Sequence, residues 1–241
     1  MNMTFTKNTK FSKNGKKGAK IRWGRIEREI CNNISSMNIS TYTHLKSRLL
    51  GYLAGDGGAY IRKDKKGIMR YEILFCPDHE SMISPFVEAF RLLYLKVPRI
   101  KNLGNYFRLR ADSKTACIDL LKAGQLKTKK WRIPFRLFND EKSKVEWLRA
   151  FFDCEAYVGK KEIRVQSVNK NGLMDVKKLL NEFRIESRAY EYNRKNEKWN
   201  TNYILHIGQM ESRKAFFNKI GFNHQIKLQK LKTQFLDAKV A

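Results

Sequence analysis

Two carboxylates at matched positions could carry chemistry in this chain. Asp56 closes the stretch Leu49-Leu50-Gly51-Tyr52-Leu53-Ala54-Gly55-Asp56-Gly57-Gly58. Glu155 closes a degenerate copy, Trp147-Leu148-Arg149-Ala150-Phe151-Phe152-Asp153-Cys154-Glu155-Ala156-Tyr157. Each copy reads as one or two apolar helical turns with small residues on one face, stopped abruptly by an acid. The two acids lie 99 positions apart, and a repeat of that length with one acid per copy predicts an internal duplication. Gly51 with Ala54 or Gly55, and Ala150 with Cys154, fall at the three- or four-residue spacing that lets helix backbones approach closely. If those faces meet, Asp56 and Glu155 sit side by side. Carboxylates that close repel unless a cation lies between them. All-oxygen ligation favours Mg²⁺, Mn²⁺ or Ca²⁺ over zinc, and such an ion can neutralise a scissile phosphate and acidify a water.

The rest of the chain is suited to polyanions. Lys and Arg outnumber Asp and Glu by 50 to 23, for a formal net charge of +27. An excess of this size points first to nucleic acid and only second to an anionic membrane. No apolar run approaches the ~20 residues that span a bilayer. No single helix concentrates the basic and apolar faces of a surface-bound membrane protein. Cys31, Cys76, Cys117 and Cys154 are scattered, without a C-x-x-C pair, and His44, His79, His206 and His224 are isolated. Structural zinc and a histidine dyad are therefore not expected, and reduced thiols in an intracellular protein are. The basic, acid-free start has no secretory apolar core, which predicts the cytoplasm or nucleoid of a prokaryote and leaves an organellar matrix open.

The length accommodates two units of about a hundred residues. We divide the chain into a basic N-terminal arm (1–40), a first half-domain (41–139) and a second (140–241). Gly15, Gly18 and Gly24 are expected to break any helix before Ile26, leaving a flexible arm along phosphates. In the first half, the patterns predict helix over 47–54, strands over 59–62 and 69–75, helix over 80–95, strands over 99–101 and 106–110, and helix over 113–123. In the second, they predict helix over 142–154, a strand over 162–166, helix over 172–183, strands over 187–192 and 203–207, and helices over 211–219 and 225–236. The shared order is αββαββα, twice. Strand alternation groups Tyr60 with Arg62, Arg70 with Glu72, Arg108 with Arg110, Arg164 with Gln166, and Arg188 with Tyr190 and Tyr192. With Lys101 and Arg194, these form the predicted DNA-binding set. Arg can read guanine edges and Gln adenine, while contacts to phosphates add sequence-independent affinity.

These residues together resemble the single-chain, two-motif LAGLIDADG homing endonucleases. The first motif is close to the family pattern, and Trp147-Leu148-Arg149-Ala150-Phe151-Phe152-Asp153-Cys154-Glu155 resembles its second. Trp131-Arg132-Ile133-Pro134 resembles the segment leading into that motif, and Ile220-Gly221-Phe222-Asn223-His224 through Leu228 resembles the usual ending. The resemblance covers roughly 43–238. It implies an α+β fold of two αββαββα repeats about a pseudo-twofold axis, each with a saddle-shaped antiparallel DNA-binding sheet. It implies a monomer that hydrolyses both DNA strands with Mg²⁺, leaving short 3′ overhangs. Asp56 and Glu155 become the metal-binding and catalytic acids, with the carbonyls of Gly55 and Cys154 as further ligands. The family places an amide, often with a Lys, at the end of each second strand. Here those stretches read Phe75-Cys76-Pro77-Asp78, without either, and Gln166-Ser167-Val168-Asn169, which offers Gln166 or Asn169. Lys160 is the candidate cation of the second half, and Ala156 replaces the usual Gly after the second acid. Two other functions fit the same sequence: an intron RNA maturase and a non-cleaving DNA-binding regulator.

Overall fold

The computed structural model describes residues 13–192 and 200–236. An added helix α1 (Lys13–Ser36) precedes the first repeat, which runs α2 (Ile39–Asp56), β1 (Gly57–Lys63), β2 (Met69–Phe75), α3 (Ile83–Tyr94), β3 (Arg99–Asn102), β4 (Phe107–Asp112) and α4 (Lys114–Lys122). The second repeat runs α5 (Glu141–Glu155), β5 (Ala156–Val158), β6 (Ile163–Ser167), α6 (Lys170–Glu182), β7 (Arg188–Tyr192), β8 (Asn202–Ile207) and α7 (Met210–Lys219), and α8 (Gln225–Leu236) follows it. The sheets are antiparallel with matching orders, β1-β2-β4-β3 and β5-β6-β8-β7. This is the αββαββα duplication that the motif spacing predicts.

Each repeat begins at a capped helix. The Asn38 side chain accepts from the Ser40 N–H at 2.8 Å and starts α2. Asp140 and Ser143 form a reciprocal capping box that starts α5, satisfying donors that a helix start leaves orphaned. Both motif helices pass straight into a strand. At the first junction a Cβ on Gly57 would lie 2.6 Å from the Leu74 carbonyl oxygen and 2.8 Å from Leu53 Cδ2, so only hydrogen fits.

The core is aromatic and continuous between the repeats. In the first repeat Tyr52, Phe75, Phe86, Phe90 and Tyr94 form a chain of ring contacts. In the second, Trp131 reaches from the linker to within 4.9 Å of the Phe151 ring, which stacks on Trp147 at 5.0 Å. The linker is held there by Asn169, which donates to the Trp131 carbonyl at 2.6 Å, and by the Arg132–Asp175 pair at 2.5 Å.

Two sequence expectations are corrected. Residues 13–36 form a helix despite their glycines. Ile30 is buried, the Asn33 amide donates to the Leu92 and Leu93 carbonyls at the end of α3, and the Glu27 carboxylate accepts from the Thr115 N–H at the start of α4. Tertiary partners outweigh the propensity cost of glycine. Residues 1–12 of the predicted arm lie outside the described residues. The second correction is β5, a three-residue strand too short to show a period. Among the described residues no helix is long and apolar enough to cross a membrane.

Candidate metal centre and nucleic-acid interface

The motif helices α2 and α5 pack face to face through their small residues. A Cβ on Gly51 would collide with the Trp147 carbonyl oxygen and lie 2.9 Å from Ala150 Cβ. One on Gly55 would overlap Cys154 Cβ and reach within 3.5 Å of Glu155 Cγ. Polar pairs set the register along the seam: Thr43 Oγ1 to Asn139 at 2.6 Å, His44 to Asp140 at 2.6 Å, Arg48 to Glu146 at 2.6 Å and Tyr52 to Asp153 at 3.2 Å.

The seam brings the C-terminal ends of both helices, with Asp56 and Glu155, to one place. Burial lifts the Glu155 carboxyl to about 7, the Asp56 charge adds to the rise, and Lys227 opposes it. Burial also raises Asp56, against a hydrogen bond from the Cys154 thiol, with Asp78 adding to the rise and Lys227 opposing it. Two acids that disfavour each other's charge fit a hard cation between them. Among the described residues no group of three or more His, Cys, Asp and Glu side chains could hold a metal ion. The pair alone is an incomplete shell, since a hard divalent cation takes about six or more oxygen ligands.

The second sheet places Gln166 in the same cleft as Glu155, Gly55, Ser167 and Asn202. Asn169, the alternative amide, is buried and committed: it donates to the Trp131 carbonyl and accepts from the Gly172 N–H to cap α6. Lys160 is not brought to the pair. It is exposed in the turn that joins β5 to β6, at the end of β5 away from Glu155.

The sequence reading gave no role to Asp78, Asp153, His224 or Lys227 at the centre. Asp153 is fully buried and accepts from the Asn223 and His224 N–H groups at 2.8 and 3.0 Å, which pins the turn before α8. That turn delivers Lys227, whose ammonium donates to the carbonyl oxygens of Asp153 at 2.5 Å and Cys154 at 2.9 Å. The Cys154 carbonyl, expected to be a metal ligand, thus already holds a cation. Burial lowers the Lys227 pKa, while Asp78, Asp153 and Asp56 hold it up. On the first-repeat side, a hydrogen bond from His224 keeps the Asp78 carboxyl low. Arg108 reaches Cys76, opposing the rise that burial imposes on that thiol. The cation missing from the Phe75–Asp78 stretch is therefore supplied by β4 and α8. The only signal in the sequence was the resemblance of the 220–228 ending, which assigned no role to Lys227.

The strand registers sort the predicted DNA-binding residues. Residues directly opposite share a face. Tyr60 opposes Glu72, Arg62 opposes Arg70, and Lys101 opposes Arg108. Arg110 has Leu74 on one side and Arg99 on the other. All seven predicted residues of the first half therefore lie on one sheet face, joined by Arg99, which was not singled out. Glu72 is corrected as a contact. It is buried, and its carboxylate is held by Arg62 at 2.7 Å and Arg110 at 2.8 Å, so it spaces two guanidinium groups and offers little surface itself. On the second sheet Tyr157, Arg164, His206 and Arg188 line up across the strands. Gln166, Ile204 and Tyr190 form the next row, and Asn202 opposes Tyr192. Arg164 is half-buried with its guanidinium 4.5 Å over the Tyr157 ring, while Gln166, Arg188, Tyr190 and Tyr192 are exposed. Arg194 lies outside the described residues.

Comparison with known proteins agrees with this geometry. Residues 142–221 match the LAGLIDADG-like domain family. The homing endonuclease I-DmoI superposes with a TM-score of 0.62 at 20% identity, over 75% of this chain and 96% of that one. Its complex with DNA and Mn gives 0.61 at 20% identity, over 74% and 97%. The DUF199/WhiA protein of Thermatoga maritima gives 0.52 at 18% identity, over 88% and 66%. Among curated sequences, the replication factor C small subunit of Methanocaldococcus jannaschii is 28% identical over 89% of this chain, and a probable translation initiation factor IF-2 of the same organism is 29% identical over 60%. The chain spans only 12% and 13% of the lengths of those two proteins. The chain thus carries the two-repeat fold of homing endonuclease I-DmoI, with a LAGLIDADG-like domain over its second repeat.

Proposed function

We propose that this protein is a site-specific double-strand DNA endonuclease of the homing type, with 41–139 and 140–241 as its two half-domains. The observation that carries the reading is the convergence of Asp56 and Glu155 at abutting helix ends, between two sheets whose outer faces carry arginines and tyrosines. The two acids would hold a divalent ion, Mg²⁺ or Mn²⁺, which supplies charge neutralisation at the phosphate and a more acidic water. Gln166 would orient a water beside Glu155. Arg108, which reaches Cys76, would offer positive charge to the backbone of bound DNA. Tyr60, Arg62, Arg70, Arg110 and Lys101 would follow one half-site, and Arg164, Arg188, Tyr190 and Tyr192 the other. Homing endonuclease I-DmoI, with the same fold, has been crystallised with DNA and Mn and with DNA and Ca.

Cleavage of a randomised duplex library with Mg²⁺ tests this, with Asp56→Asn and Glu155→Gln alongside. Cutting of one discrete long site, lost in both variants, is the expected result. Tight binding without any cut would overturn it. That outcome belongs to the second reading, a binding protein for DNA or intron RNA on the same fold. Cys76 favours it, because a thiol at the end of β2 holds the position that the Gln166 amide holds on β6.

A further inference from the structure

Lys227 is the charged group at the centre to which the proposed reaction gives no part. It lies in the first turn of α8, outside both αββαββα repeats. Its ammonium ties together two carbonyl oxygens at the end of α5, which a helix terminus leaves unsatisfied and which carry the negative end of its dipole. The carboxylates of Asp56, Asp78, Asp153 and Glu155 all feel its charge. The first repeat is built differently. At the end of α2 the matching carbonyls are those of Ala54 and Gly55, and among the described residues no ammonium is bonded to either. One helix end at the carboxylate pair thus carries a resident cation, and the other does not.

We propose that Lys227 is an internal counter-ion that competes with a divalent cation for the Cys154 side of the Asp56–Glu155 pair, so that the two sides of the centre take up metal unequally. The proposal rests on the metal-binding part of the function above. A divalent ion on the Cys154 carbonyl would stand a few ångströms from a like charge. To admit it, the ammonium must leave the two carbonyls it bridges. Both effects weaken metal binding on that side; on the Gly55 side no carbonyl bond to the ammonium has to break, and the charge alone acts, through Asp56. Lys227 is thus a positioning residue: it holds the empty acids together and sets which side fills first.

The test is Mn²⁺ binding by the full chain without DNA, read from the resonance of the free ion, with thermal unfolding in chelator and in millimolar Mn²⁺. Lys227→Met should bind Mn²⁺ about tenfold more tightly, because a like charge beside the ion is gone. It should melt below wild type in chelator, and Mn²⁺ should close that gap. Lys227→Arg, which keeps the charge and the donors, should track wild type. Equal isotherms, or a stability deficit unchanged by Mn²⁺, would mean that Lys227 is only a helix cap and would overturn the proposal. If the Met variant does not fold, Lys227→Gln retains a donor without the charge and carries the same comparison. Should neither wild type nor variant bind Mn²⁺, this proposal and the metal site fall together. Binding lost in Asp56→Asn but not tightened in Lys227→Met removes only the role of Lys227. Tighter binding in a protein that never cuts DNA leaves that role intact and removes the nuclease.

Discussion

Three consecutive residues at the end of α5 do three different things. Asp153 turns inward to pin the 222–224 turn, Cys154 fills the seam against Gly55, and Glu155 turns toward Asp56. Glu155 has the sharper consequence. Its carboxyl is pushed up to about 7, from an ordinary 4.5, so between those values the folded protein holds a proton that the unfolded chain releases. Stability of the metal-free protein should therefore fall as pH rises from about 4.5 to 7 and level off above. Glu155→Gln removes this group's share of the titration, while buried Asp153, pushed up to about 6, keeps its own. In chelator at pH 8 the variant should be more stable than wild type by roughly 3 kcal/mol, the free energy of a shift of this size, and the gap should shrink toward pH 5. Urea denaturation at four pH values measures this, and parallel curves would contradict it. Asp153→Asn weakens a buried acceptor serving two N–H groups and should destabilise by about 1–3 kcal/mol at low pH; because burial pushes that carboxyl up to about 6, the cost should shrink as pH rises.

The seam between α2 and α5 makes glycine identity matter at some positions and not others. Gly51→Ala gains helix propensity but drives a methyl into the Trp147 carbonyl and Ala150. Overpacking should win, with a net loss of about 1–3 kcal/mol in chemical denaturation. Gly24→Ala, on α1 with no atom within 4 Å of the added methyl, should gain about 0.5–1 kcal/mol. The contrast shows where the sequence was readable. Gly51 and Gly55 stand out because they recur at helical spacing inside an apolar run. The glycines of α1 argued against a helix whose partners, Leu92, Leu93 and Thr115, lie about sixty to ninety positions away. Alternation grouped Tyr60 with Arg62, Arg70 with Glu72, and Arg108 with Arg110, each on one face of its own strand, because a strand has only two faces to choose from. It could not reveal that Glu72 is buried between two arginines, since that depends on the register of β4 against β2.

At the scale of the whole molecule the excess positive charge is organised by the duplication, which sets two similar cationic faces beside one acidic pair. The same scale limited the reading of the centre. Lys227 is 73 positions from Cys154 in a helix whose other lysines look alike, and only the folded turn pinned by Asp153 distinguishes it. The faces themselves make a prediction about salt. If they follow phosphates, the logarithm of the duplex binding constant should fall linearly with the logarithm of salt concentration, with a slope near −0.9 per phosphate engaged. Arg188 is exposed on β7, with no ion pair among the described residues, so Arg188→Ala should flatten the slope by about 1 and weaken all duplexes alike. Glu72→Gln should act in the opposite sense. It frees the Arg62 and Arg110 charges that the carboxylate now neutralises, so non-specific binding should strengthen and its slope steepen while discrimination between duplexes narrows. Fluorescence anisotropy across a salt series, on one cleaved and one scrambled duplex, reads both effects. An Arg188→Ala slope equal to wild type, with affinity lost on the cleaved duplex alone, would instead make Arg188 a reader of bases.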